Sequence, residues 1–383
     1  MIDSPLVSVV VPAFNASNTL QHTLLSVSAQ SYRNLEIIVV DDGSVDHTAL
    51  IARAYSKIDP RVRLIQQSNR GVASARNAGT QASTAEFVAF IDADDLWHPT
   101  KITKQMALLT ANGNDMALVY SPFRLIDTSG MVLGSSRNHR VDGWVVNRHF
   151  YINFIGNGSS ILIRKHVLDE LGGYSSALLE AGAQGCEDLL LQLRIALQYK
   201  FGTVPEYLVG YRMSPGNMSA DGERMVRSSL LALTMALAEC PDLAALENRG
   251  LIARNIWEYL KIITLEGRFI RGLAFIWPLA RRRTPKIAKA AWADGTAKLM
   301  ALRKRIGNLW VRRLRSPAHV PLRHFYDYDP ADMNLSDHMP QNDAAAELDN
   351  VYRRLAELSP LDALYRPDKY SDRSSRNSLA SFK

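Results

Sequence analysis

The chain has 383 residues, of which 47% are hydrophobic, and its 45 Lys and Arg against 38 Asp and Glu give a formal charge of +7. That length and apolar share exclude a disordered or fibrous polypeptide and supply enough core for one large domain with an appendage. Two cysteines, Cys186 and Cys240, exclude a disulfide-built scaffold and suit a reducing compartment.

The acidic Asp3 and the strand that follows at once lack the basic and apolar regions of a secretory signal. No stretch reaches the roughly 20 apolar residues that a bilayer span needs, so a soluble or peripheral protein is expected.

Leu6 to Pro12 is a continuous apolar run and predicts a buried strand; Leu20, Leu24 and Val27 then recur at helical spacing between Ser17 and Gln30. The alternation repeats. Strands over Leu35 to Val40, Val62 to Gln66 and Glu86 to Ile91 precede helices near His47 to Ser56, Val72 to Gln81 and Thr100 to Ala111. Strands that alternate with helices of this length predict a mainly parallel α/β sheet with helices on both faces.

Beyond Gly113 the expected elements are strands over Met116 to Phe123, Met131 to Gly134 and Ser159 to Ile163, then a helix from His166 to Leu171 stopped by Gly172 and Gly173. A leucine-rich helix opens at Glu187 and ends near Lys200, a strand covers Tyr207 to Tyr211, and Glu223 to about Trp310 reads as helical. Asp327 to Asp343 is polar, proline-broken and expected to be flexible. A short helix with Leu348, Tyr352 and Leu355 on one face is expected next, before a polar end. The domain division expected is 1–222 catalytic, 223–325 basic and helical, 326–383 tail.

Two of the predicted strands end in carboxylates: Asp92-Ala93-Asp94-Asp95 follows Ile91, and Asp41-Asp42-Gly43-Ser44 follows Val40. In open α/β sheets ligands bind beyond the carboxyl ends of the strands. Two carboxylates about 4 Å apart repel by about 4 kcal/mol at an effective dielectric near 20, and a hard divalent cation reverses that repulsion. The alternatives are structural: Asp94 or Asp95 could cap the helix after Pro99, and Asp46 the helix near His47.

Charge is unevenly distributed. From Arg268 to Arg323 fifteen Arg and Lys face only Asp294, so this segment carries +14 and the rest of the chain −7. Phe269, Leu273, Phe275, Ile276 and Trp277 stand beside Arg281, Arg282 and Arg283, which suits peripheral attachment to an anionic membrane surface; a solvated helical face is the alternative.

Four segments in order, Val7-Ser8-Val9-Val10-Val11-Pro12-Ala13-Phe14-Asn15, Val40-Asp41-Asp42-Gly43-Ser44, Gly71-Val72-Ala73-Ser74-Ala75-Arg76-Asn77-Ala78-Gly79 and Ile91-Asp92-Ala93-Asp94-Asp95, resemble the family 2 glycosyltransferases, whose catalytic domain has the GT-A nucleotide-diphospho-sugar fold. The resemblance continues more weakly from Gly156 to Ser219. It implies Pro12, Ala13 and Asn15 at the nucleotide edge, Asp42 and Asp41 against base and ribose, and Arg76 near the pyrophosphate. It also implies Asp92 and Asp94 as the first and last positions of an Asp-x-Asp element around Ala93, with Asp92 at the ribose and metal and Asp94 on a diphosphate-bound Mg²⁺ or Mn²⁺. Taken without its neighbours, Arg76 would read as a surface ion-pair residue.

Gly185-Cys186-Glu187-Asp188-Leu189 resembles the family's acidic pair at a helix start, which implies Asp188 as the catalytic base. A plain helix N-terminus also favours acidic residues. Where many relatives have a histidine that can bind the metal, this chain has Ser214, which thins the ligand set. The chain also lacks the Gln-x-x-Arg-Trp element of processive synthases, which implies addition of a single sugar.

The function expected is therefore inverting, metal-dependent transfer from a nucleotide-diphospho-sugar to the hydroxyl of a glycan or lipid-linked glycan in surface polysaccharide synthesis. The expected location is the cytoplasm, at the inner face of the plasma membrane, with no nucleic-acid partner. A nucleotidyltransferase would require a glycine- and lysine-rich triphosphate loop, which is missing. A noncatalytic sugar-nucleotide scaffold would not need Asp92, Asp94 and Asp188 together.

Overall fold

In the computed structural model, residues 4–214, 216–240 and 323–332 are described. Unbroken β-branched runs make the first strands, and helical periodicity makes what lies between them: β1 (Val7–Ala13), α1 (Leu20–Ser28), β2 (Leu35–Asp41), α2 (Thr48–Ser56), β3 (Val62–Gln66), α3 (Val72–Ala82), β4 (Phe87–Phe90), β5 (Leu96–Trp97) and α4 (Lys101–Ala111). There follow β6 (Met116–Tyr120), β7 (Phe123–Ile126), β8 (Val132–Ser135), α5 (Val146–Tyr151), β9 (Leu162–Arg164), α6 (Lys165–Leu171), α7 (Ala177–Glu180), α8 (Glu187–Ala196), β10 (Lys200–Thr203), β11 (Val209–Arg212) and α9 (Gly222–Glu239).

The main sheet has seven strands in the order β10-β6-β9-β4-β1-β2-β3, all parallel to their neighbours except β9, which is antiparallel to both β4 and β6. Its two faces are both buried. Val10, Ile38, Val40, Val88 and Phe90 point into one core, while Val9, Val11, Ile37, Val39 and Ala89 point into the other, as the pleat requires of a sheet covered on both sides. On α3, a Cβ at Gly79 would stand 2.3 Å from a Val10 methyl, so this glycine lets the helix lie close on the sheet.

A second sheet, β5-β11-β7-β8, stands beside the first. Sequence periodicity gave no sign of β5, α5, α7 or β10, and its strand from Met116 ran on through Ser121 and Pro122, where β6 has ended, to stop at Phe123, the first residue of β7. Gly172 ends α6 in the left-handed conformation (φ 72°), where the Gly173 amide donates to Leu168 O at 2.8 Å.

Packing continues across residue 222, where a domain boundary was expected. Asp221 caps α9 by accepting from the Arg224 amide at 3.0 Å, the Cys186 amide donates to Ser228 Oγ at 2.8 Å, and Arg194 pairs with Glu239 at 2.6 Å. Leu233 and Ala236 thereby join the core.

The stretch from Asp327, expected to be flexible, is fixed as far as residue 332. His324 bridges Met131, Phe325 is buried with Leu96, Ile126 and Val132, and buried Arg124 donates to the carbonyls of Asp329 and Asp332 at 3.0 and 3.2 Å. The aromatic and guanidinium groups that hold this strap lie far apart in sequence, which is why local composition misreads it. The basic segment from Arg268, except Arg323 itself, and the helix expected around Leu348 lie outside the described residues. Among the described residues no helix is long and apolar enough to cross a membrane.

Candidate active site

Three neighbouring carboxylates at the tip of β4 go three different ways. Asp92 accepts from Arg76 Nη2 at 2.6 Å, and its backbone amide donates to Ser159 Oγ at 3.0 Å. Asp95 turns fully inward: Ser159 Oγ donates to one of its oxygens at 2.5 Å and the Arg212 amide to the other at 2.9 Å. Burial and the charges of Asp94 and Asp92 push the Asp95 carboxyl well above the usual range.

Asp94 stays at the surface of the crevice, half-buried. Burial first and Asp92 second raise its carboxyl to about 6, and no other residue donates to that carboxylate among the described residues. Its backbone carbonyl is gripped by Arg212 Nε at 2.6 Å, while Arg212 Nη1 holds the carbonyls of Asp127 and Thr128. None of the three caps α4, which Thr100 precedes without a side-chain cap, so the helix-capping reading of Asp94 and Asp95 is set aside.

The ends of β1 and β2 build the neighbouring wall. Pro12 and Ala13 are buried opposite Val40 and Asp41, and Asn15 takes a positive φ of 49°. In that conformation the Asn15 amide donates to Ser44 Oγ at 2.9 Å and its side-chain oxygen accepts from Val45 N at 3.0 Å, joining the two strand ends. Asp41 accepts from Ser44 N and Gln66 Nε2, each at 3.1 Å. Asp42 accepts from Gln67 Nε2, Arg70 N and Gly71 N at 2.7, 2.9 and 2.8 Å, and so fixes the loop that enters α3. Asp46 accepts from the Thr48 amide at 2.9 Å and steadies the start of α2, although His47, not Asp46, is the cap residue of that helix and makes no side-chain cap bond.

Arg76, on α3, is 5% exposed and joins the two halves of the site. Burial would disfavour its charge, but Asp92, Tyr174 and Asp188 around it hold the guanidinium above its ordinary pKa and charged. A surface ion-pair role is thereby excluded. The guanidinium carbon stands 5.1 Å from the centre of the Tyr174 ring, and a Cβ at Gly158 would come within 3.0 Å of Nη2.

Across from Arg76, Asp188 stands in the first turn of α8 and accepts from the Leu189 amide at 2.8 Å. Burial raises its carboxyl above the usual range and Arg76 draws it part of the way back. Glu187 beside it is 2% exposed and turns back to accept from Gly185 N at 3.1 Å, so it shapes the preceding loop. That loop crosses the start of α3: a Cβ at Gly71, whose φ is +83°, would lie 2.9 Å from Leu179 Cδ2 and 3.1 Å from Gln184 Nε2.

Sequence reasoning singled out Asp92, Ala93, Asp94, Arg76 and Asp188, which meet here, and Pro12, Ala13, Asn15, Asp41 and Asp42, which form the adjoining wall. It missed Ser159, Arg212 and Tyr174. All three lie in the stretch from Gly156 to Ser219 and carry no local signal, since their roles depend on contacts made from distant strands.

Among the described residues no three His, Cys, Asp or Glu side chains assemble as a ready metal cage. Ser214 is hydrogen-bonded to Asn217 and supplies no imidazole. Asp94 and the oxygen of Asp92 that Arg76 leaves open are carboxylate oxygens of the kind that would suit an oxygen-seeking divalent ion.

Residues 8–172 match the model of glycosyl transferase family 2. Over that segment the chain is similar to the family 2 glycosyltransferases. Among its relatives, an uncharacterised glycosyltransferase of Rickettsia typhi is 38% identical over 124 residues, which are 32% of this chain and 38% of that protein. TuaG of Bacillus subtilis, assigned to teichuronic acid biosynthesis, is 41% identical over 106 residues, 27% of this chain and 42% of its own. The chain thus spans roughly two-fifths of the length of these relatives.

In fold it resembles S. aureus TarS 1–349 in complex with UDP-GlcNAc, with a TM-score of 0.55 at 18% identity over 71% of this chain and 80% of that one. The mannosyltransferase PcManGT of Pyrobaculum calidifontis in complex with GDP-Man and Mn²⁺ gives a TM-score of 0.53 at 21% identity, covering 82% and 89%. The mainly parallel sheet flanked by helices is therefore the GT-A fold that the sequence implied.

Proposed function

We propose that this protein transfers a single sugar, with inversion, from a nucleotide-diphospho-sugar to the hydroxyl of a glycan or lipid-linked glycan in surface polysaccharide synthesis. The observation that carries this reading is the placement of Arg76, buried and charged, between the Asp92 tip and Asp188. One cation then serves the leaving diphosphate on one side and borders the base on the other. TarS and PcManGT, in complex with UDP-GlcNAc and with GDP-Man and Mn²⁺, support a nucleotide-sugar donor by analogy of fold. The TuaG assignment supports polysaccharide as the product class.

In the proposed reaction the acceptor oxygen bonds to the anomeric carbon as the bond from that carbon to the phosphate oxygen breaks, and the diphosphate leaves with the electron pair. Asp188 takes the hydroxyl proton; its raised carboxyl is a stronger base than an exposed aspartate, and the Leu189 amide keeps it aimed. Arg76 supplies fixed positive charge for the phosphate oxygens. Asp94 and Asp92 would hold Mg²⁺ or Mn²⁺, which when bound neutralises charge on the leaving group. The walls formed by Pro12, Ala13, Asn15, Asp41, Asp42 and Ala93 would receive the nucleoside.

The +14 segment ending at Arg323 would hold the protein to an anionic membrane at the cytoplasmic face, within reach of a lipid-linked acceptor. The test of the donor reading is release of nucleoside diphosphate from UDP-, GDP- and dTDP-linked sugars with Mn²⁺. At least one donor should be turned over, and turnover of none, with no donor bound, contradicts the proposal.

A further inference from the structure

Tyr174 has a polar atom that the fold leaves unused. The residue is 2% exposed, and its Oη is buried without a hydrogen-bond partner among the described residues. Such groups are rare in native proteins and call for a reason. Both the backbone and the ring of this residue are held by neighbours in the site. Asn77, the residue after Arg76, donates from Nδ2 to Tyr174 O at 2.7 Å and accepts from Tyr174 N at 2.8 Å. The preceding Gly173 has a φ of +69°, and a Cβ there would stand 2.5 Å from Asn77 Oδ1. Phe90 meets the ring edge to face, with centroids 5.2 Å apart and planes at 81°. The Arg76 guanidinium stands over a face of the ring.

The hydroxyl is therefore a buried donor beside Arg76; burial first, and then the charges of Asp188, Asp92 and Glu187, favour its protonated form against the opposing pull of Arg76. We propose that Tyr174 is a substrate-binding residue whose O–H donates to a phosphate oxygen of the bound nucleoside diphosphate, alongside Arg76. This rests on the donor site proposed above. Two substrate oxygens would approach this corner, and the chemistry selects between them. A hydrogen bond donated to the acceptor oxygen would withdraw the lone pair that must attack carbon; donated to the phosphate oxygen it stabilises the charge that develops as the bond breaks. Binding of the diphosphate would then supply the partner that the free protein lacks.

The test compares wild type with Tyr174→Phe, which keeps the ring on Arg76 and the contact with Phe90 and removes only the hydroxyl. Titration calorimetry with UDP and with GDP in Mn²⁺ should show affinity for the diphosphate lowered about tenfold, with binding of uridine and guanosine unchanged. Without ligand, the variant should melt at the wild-type temperature or above it, because an unpaired buried polar group has been removed. A purely structural hydroxyl gives the opposite pair of results, a lower melting temperature with diphosphate affinity intact, and that would overturn the inference. If wild type binds UDP or GDP and Tyr174→Phe binds it equally well, this inference falls alone; if wild type binds neither, the donor site falls with it.

Discussion

Replacing Asp94 by asparagine separates what the acidic tip does for binding from what it does to the fold. Burial and the neighbouring Asp92 raise the Asp94 carboxyl from 3.8 to about 6. A displacement of that size between unfolded and folded states is worth roughly 3 kcal/mol. Because the side chain is only half-buried, solvent screening should reduce this to about 1–2 kcal/mol.

The folded protein prefers the protonated form, so this contribution is fully present below about pH 4 and is lost as the pH rises through about 6. Above that, ionised Asp94 is a burden on the ligand-free protein. The amide that replaces it in the variant never ionises. In thermal unfolding without ligand, Asp94→Asn should therefore match wild type near pH 4 and melt about 1–3 °C higher at pH 7.5.

With Mn²⁺ and UDP at pH 7.5 the order should reverse, because the ionised carboxylate then has its ligand and a ligand that binds only the native state raises its stability. The wild-type melting temperature should rise and the variant's should stay put. A variant that is less stable than wild type without ligand at pH 7.5, or that gains equally from Mn²⁺ and UDP, refutes the reasoning.

Ser159→Ala removes the hydroxyl that both holds the Asp92 amide and donates to buried Asp95, so urea unfolding should show a loss of about 2–3 kcal/mol; a loss under about 0.5 kcal/mol would show that Ser159 does not hold the tip in place. Attachment through the segment from Arg268 to Arg323 should appear as sedimentation with anionic but not neutral vesicles, weakening in high salt. Equal binding to both vesicle types would rule the electrostatic attachment out.

Much of the fold was legible because both faces of the main sheet are buried. Runs such as Val7 to Val11 and Ile37 to Val40 leave no other placement, and the helices between them carry a clear period. The candidate site was legible where residues cluster in sequence, as at Asp92 and Asp94. What divides Asp94 from Asp95 was not legible, because the two differ only in what distant chain brings to them: Ser159 and the Arg212 amide reach Asp95, and no other residue donates to the Asp94 carboxylate among the described residues. The anchoring of residues 323–332 was hidden for the same reason. It depends on Arg124, set between the rings of Tyr207 and Tyr328 at 4.8 and 4.6 Å, and no local pattern records that contact.

The most direct test of the central claim is a paired measurement on Asp188→Asn: turnover of a nucleotide sugar that wild type uses, and calorimetric affinity for the corresponding nucleoside diphosphate. The amide keeps the shape of the side chain and removes its basicity. With Asp188 as the base, turnover should fall at least roughly a hundredfold while diphosphate affinity stays near that of wild type. Turnover close to wild type, or an equal loss of diphosphate affinity, would contradict Asp188 as the base.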